Sequence, residues 1–163
     1  MNDDKLFKCD EKSRERFKEF LLKNNYATEV TLLAVNDYQD VMFIDSFKQR
    51  EHYVEIKQRD KKHVNTDEII IEESKFNNLL RIGGSYGYLV TFFGEDLNKM
   101  MIHKSIKILD SKQGYMRASK YTVKYSESEL KEVRYIDTKL ASYFIYNNEI
   151  KNYIKVDYNQ FIQ

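Results

Sequence analysis

A chain of 163 residues with 42% apolar and 14% aromatic side chains carries enough apolar surface for a core, which excludes intrinsic disorder, and its length fits a single domain. The charged fraction is 33% with a net charge of +1, and no apolar run approaches the roughly 18 to 20 residues of a membrane span. Met1 to Asp4 lacks the apolar stretch of a secretory signal, the lone Cys9 has no disulfide partner, and three scattered histidines match no zinc spacing; the expectation is a cytoplasmic protein with no membrane partner.

In chain order, Asp10 reads as the N-cap of a helix from Glu11 to Lys23, with Phe17, Phe20 and Leu21 on one stripe and Asn24-Asn25 as its stop. Thr28 to Val35 is a β-branched first strand. Two alternating runs, Val41–Ile44 and Tyr53–Ile56, then flank a polar, basic segment, which predicts a hairpin with a longer loop. On its second strand Glu55, Lys57 and Arg59 share one face, and Val54, Ile56 and Gln58 the other. A hairpin symmetric about Lys48 and Gln49 sets Asp40 across from Lys57 and Met42 across from Glu55, gathering Asp40, Glu55 and Lys57 on one face. A one-residue slip would undo this.

Two carboxylates at that spacing, with the Ile56 carbonyl, are a partial shell for a hard cation such as Mg²⁺, with Mn²⁺ as its substitute. Such a metal lowers the pKa of bound water and polarises a phosphoryl oxygen, while the Lys57 ammonium orients the attacking water. Phosphodiester hydrolysis is the implied reaction.

Beyond the polar loop Asn65–Glu68 and the triplet Ile69–Ile71, Glu72–Arg81 predicts a short helix with Phe76, Leu79 and Leu80 inward. Gly83-Gly84 reads as a linker, since no GK[ST] frames it as a phosphate loop. Tyr86–Phe93, almost wholly apolar, predicts the central strand, with Leu97–Ile106 returning beside it; His103 there reads as a surface histidine. Ser126 to Glu129 resembles a capping box opening a helix through Val133, and Leu140–Tyr146 with Ile150–Tyr158 are two strands or two helices around Asn147-Asn148. Eight of the 13 tyrosines fall between Tyr115 and Tyr158, mostly as packing residues.

Glu-x-Lys occurs four times in a chain with 14 Glu and 20 Lys, so the tripeptide alone is weak. Glu73–Lys75 and Glu129–Lys131 fall in expected helices, and Glu149–Lys151 follows a turn. Only Glu55-Ile56-Lys57 ends an apolar strand and follows an Asp fifteen residues earlier. Asp40 with Glu55-Ile56-Lys57 resembles the core of the PD-(D/E)XK nuclease superfamily, and Val54 to Arg59 is similar to its Holliday junction resolvase-like branch. The resemblance implies a restriction-endonuclease-like α/β (α+β) domain, a mixed β-sheet flanked by helices, with its core at about residues 10–105 and a C-terminal extension at about 106–163. It further implies a Mg²⁺-dependent nuclease acting on DNA, branched or junction substrates among them, as a homodimer. Asp40, Glu55, Lys57 and, on the following helix, Lys75 would be catalytic. Arg59, Lys61 and Lys62 would meet nucleic acid. Gln39 stands in place of the proline of the motif, and Arg14 where the first helix often supplies a Glu, with Glu11 and Glu15 nearby. The near-neutral charge and the missing helix acid keep an alternative open: a non-catalytic nucleic-acid-binding or assembly protein on the same fold.

Overall fold

The computed structural model describes residues 3–34, 37, 39–83, 86–119 and 128–163. Helix α1 (Asp3–Lys23) buries Phe17, Phe20 and Leu21 along the predicted stripe. It starts earlier than expected, so Asp10 lies inside it and is not its N-cap; it ends as expected, where Asn25 takes a left-handed φ of 54°.

A seven-stranded mixed sheet forms next to it, in the order β1-β2-β3-β5-β6-β9-β10. Its members are β1 (Ala27–Leu32), β2 (Val41–Asp45), β3 (Glu51–Arg59), β5 (Gly87–Phe93), β6 (Lys99–Lys104), β9 (Ser142–Asn147) and β10 (Asn152–Val156). All neighbours run antiparallel except β3 and β5, which are parallel. Parallel strands need a crossover, and here β4 (Glu68–Glu72) and helix α2 (Glu73–Gly83) provide it. β5 is the middle strand, which accounts for its apolar composition: Val90 and Phe92 face the α1 side, Leu89 and Phe93 the α2 side.

Each face of the sheet therefore has its own core. Phe17, Phe20, Val41, Val54, Ile56, Phe92 and Met100 fill the first, under α1. Phe76 of α2, Ile69, Ile71, Met101 and Ile136 fill the second. β4 leaves the main sheet to pair with β8 (Ser128–Asp137), which pairs in turn with β7 (Lys112–Ser119).

The helix expected from Ser126 to Val133 is absent. Ser126 and Glu127 lie outside the described residues, and the chain from Ser128 is a strand hydrogen-bonded on both edges, so ladder formation outweighs the capping signal. The alternatives around Asn147-Asn148 resolve as the hairpin β9–β10, followed by the short helix α3 (Tyr158–Ile162). The segment after residue 105 is thus woven into both sheets, giving an α+β fold whose mixed sheet is flanked by helices.

Candidate active site

The β2–β3 hairpin is centred by one carboxylate. Asp45 accepts the amides of Phe47 (2.9 Å), Lys48 (2.7 Å) and Arg50 (3.0 Å), and the turn that results sets the ladder Val41/Val54, Met42/Tyr53, Phe43/His52 and Ile44/Glu51. The expected register is therefore two residues off: one step beyond Val41/Val54, Asp40 comes level with Glu55 and not with Lys57, and Met42 lies opposite Tyr53. An even shift preserves which face each β3 side chain takes. Val54 and Ile56 pack under α1, while Glu55 and Lys57 point toward α2.

Asp40 itself sits in a bend just outside β2, so strand alternation does not govern its side chain. Its Oδ2 accepts the Ile56 amide at 2.6 Å, and its Oδ1 accepts Arg14 Nη2 of α1 at 2.7 Å. Arg14 also donates Nη1 to the Leu33 carbonyl at 2.8 Å. Asp40 therefore ties α1 to β3 and does not simply share the face of Glu55 and Lys57.

Glu55 is the buried member, with its side chain 3% exposed. Lys57 Nζ lies 2.6 Å from its Oε1, and Lys75 Nζ of α2 lies 4.0 Å from the same oxygen. Burial raises its pKa above the ordinary carboxylate value; Lys57 works against that, and the negative charge of Asp40 adds to it. Both lysines keep a path to water, being partly exposed. Thr91 of β5, level with Lys57 in the parallel ladder, is buried with no hydrogen-bond partner for its hydroxyl among the described residues. Gln39, next to Asp40, is likewise buried with both amide atoms unpaired. Apolar strand context hid the first of these in the sequence.

The residues expected on nucleic acid are placed less openly. Arg59 Nη2 donates to the Ile70 carbonyl at 2.6 Å, binding β3 to β4, and burial lowers its pKa. Lys61 pairs with Asp96 at 2.6 Å across the Gly94 turn, and Lys62 stands exposed, 4.0 Å from Asp60. Glu11 and Glu15 are exposed on α1, so neither joins the cluster; Arg14 meets Asp40 instead. His103, expected at the surface, is wholly buried, its Nε2 3.2 Å from the Asp137 carbonyl, and burial brings its pKa down to about 4. Glu129 and Lys131, expected in a helix, lie on β8.

Asp40, Glu55 and the Ile56 carbonyl are hard oxygen donors, suited to Mg²⁺ and not to zinc or copper. Amide and carbonyl of one strand residue point the same way, which puts the Ile56 carbonyl on the side of Asp40. Among the described residues no three His, Cys, Asp or Glu side chains gather, so this set fits Mg²⁺ only as a partial shell completed by water and substrate oxygens. A cation there would compete with Arg14 and Lys57 for the same oxygens. Comparison with protein-family models, with curated proteins and with solved structures returned no match.

Proposed function

We propose that this chain is a Mg²⁺-dependent nuclease of the PD-(D/E)XK type that hydrolyses phosphodiester bonds in DNA, acting in the cytoplasm. The observation that carries the reading is a buried acid, Glu55, level with Asp40 and held between Lys57 and Lys75. Burying such a cluster costs several kcal/mol of desolvation per ion and adds little to stability, so its presence is better accounted for by chemistry. The order of elements agrees: an opening helix beside the hairpin, then a helix carrying Lys75 before a strand that returns parallel to β3.

In this mechanism Asp40, Glu55 and the Ile56 carbonyl would hold Mg²⁺, which supplies a low-pKa water and polarises the phosphoryl oxygen. Lys57 keeps Glu55 oriented, and its partly exposed side chain would offset the charge that develops on phosphorus. Lys75 stands by the same carboxylate and neutralises it from α2. Arg14 fixes the rotamer of Asp40 through Oδ1. The test is cleavage of branched, duplex and single-stranded DNA by wild type and by Glu55→Ala/Lys57→Ala, with sedimentation reporting whether the active species is the homodimer that the resolvase-like reading carries. Unchanged cutting by the variant removes the assignment.

One observation favours a second reading, a non-catalytic DNA-binding protein on the same fold. Arg14, Lys57 and Lys75 outnumber Asp40 and Glu55, so the cluster bears net positive charge and can take a phosphate without any metal. Titration with Mn²⁺ separates the two: saturable binding abolished by Asp40→Asn supports the nuclease, and DNA binding with no Mn²⁺ site supports the alternative.

A further inference from the structure

The far end of the hairpin carries the opposite arrangement, an exposed ring on a rigid support. Phe47 is 84% exposed, belongs to neither core cluster and has no ring packed on it among the described residues. Its backbone is nevertheless tightly fixed. Asp45 accepts three turn amides, its own amide donates to the Arg50 carbonyl at 3.0 Å, Ser46 donates to the Tyr26 carbonyl at 3.0 Å, and Gln49 closes the turn at a φ of 54°. His52 backs the same carboxylate, Nε2 to Oδ2 at 3.0 Å.

Around this prong the surface carries exposed rings and cations, with the exposed acids Glu29 and Glu51 level with Ile44 at the base of the turn. Tyr26 and Tyr86 are 44% and 41% exposed, and Arg50 lies 5.0 Å over the Tyr86 ring with Nη1 2.6 Å from its hydroxyl. Lys48 is exposed beside Phe47, and Lys104 is exposed at the end of β6, level with Tyr88. Asp45 turns its oxygens to the amides and Glu51 accepts the Tyr53 hydroxyl at 3.2 Å, while Lys48 and Arg50 are the exposed cations of the turn beside Phe47.

We propose that this end is a docking surface for single-stranded nucleic acid, on which Phe47 stacks against an unpaired base while Lys48 and Arg50 meet the neighbouring phosphates. Cations flanking exposed rings complement a polyanion whose bases show free faces; a duplex hides those faces in its stack, and an apolar protein or lipid partner leaves the cations unmatched. A preorganised turn also loses little conformational freedom on binding. Glu51 to Glu55 alone spans about 13 Å of strand, so the surface is separate from Asp40 and Glu55, and the inference holds for an enzyme and a binding protein alike.

Fluorescence anisotropy of an oligothymidylate of about 15 nucleotides, in EDTA with the full chain, tests it. Phe47→Ala should weaken binding about 5- to 150-fold, the equivalent of losing one stacked base, while Phe47→Tyr restores it. Lys48→Ala/Arg50→Ala should lower the salt slope by about 1.4. Phe47→Ala should weaken binding by the same factor in wild type and in the Glu55→Ala/Lys57→Ala background, whatever that background does to cleavage, which keeps the failure of one idea distinct from the failure of the other. Equal affinity of Phe47→Ala and wild type overturns the proposal. So does a Phe47→Asp change that abolishes self-association or vesicle binding while oligonucleotide affinity stays put, because the surface then serves a second copy or a lipid.

Discussion

Glu55-Ile56-Lys57 in β3 and Glu129-Leu130-Lys131 in β8 are nearly the same triplet on the same kind of backbone, and they end in different environments. In both, acid and ammonium share a strand face. Glu55 is 3% exposed and its oxygen is 2.6 Å from Lys57; Glu129 is 44% exposed and 3.9 Å from Lys131. The difference comes from the neighbours. β3 lies inside the seven-stranded sheet, between β2 and the central β5, with α2 over Glu55, and the ladder brings Asp40 level with it. Glu129 has Ala118 opposite. The two triplets therefore differ in what tertiary structure does to the acid, which it withdraws from water in β3 and leaves half-exposed in β8.

Cleavage breaks this comparison most directly. Glu55→Ala/Lys57→Ala should reduce the rate by at least about a hundredfold, whereas Glu129→Ala/Lys131→Ala should cut DNA as wild type does. A comparable loss in both pairs, read in one assay with matched protein, would show that the β3 triplet has no special standing.

The next effect is on stability against pH, where two buried groups of opposite kind act with opposite signs. His103, with its pKa down at about 4 against an ordinary 6.5, is uncharged in the folded protein while the unfolded chain takes up a proton. It therefore costs about 3 kcal/mol as pH falls from 6.5 to 4, and His103→Gln should flatten that limb of a urea-denaturation profile. Glu55 has a raised pKa, so the folded state holds its proton longer than the unfolded state. Its contribution falls as pH rises from the ordinary carboxylate value through the raised one, and Glu55→Gln should remove that slope.

A smaller change follows at Arg14. Replacing it by Ala leaves the half-buried Asp40 carboxylate with the Ile56 amide but without its guanidinium partner and should cost about 1 to 3 kcal/mol in denaturant unfolding. If metal competes with Arg14 for Asp40, the same variant should bind Mn²⁺ more tightly by calorimetry. Smallest of all, Glu129→Ala should shift stability by no more than about 0.5 kcal/mol, as exposed pairs do.

Much of the core was readable because burial leaves periodic traces: the Phe17, Phe20, Leu21 stripe, the apolar β5 and the alternation that sends Glu55 and Val54 to opposite faces. Other features left no such trace. The turn of the hairpin centres one residue before Lys48-Gln49, between Phe47 and Lys48, because Asp45 accepts three amides, which no local pattern marks. β8 was mistaken for a helix because its strand pairing partners are far away in sequence, at β4 and β7. Phe47 carried no signal at all, since an exposed ring and a buried one are the same letter.

What the amino-acid order settled alone is therefore which residues alternate, where β3 carries its acid and base, and that α1 and α2 each have an apolar side, because these depend on spacings of a few residues. Tertiary structure decided the pairing register, the meeting of Arg14 with Asp40, the second sheet, and the burial of Glu55 beside Lys57 and Lys75. Each of these is set by contact between segments far apart in the chain, where hydrogen bonding and desolvation outweigh local preference.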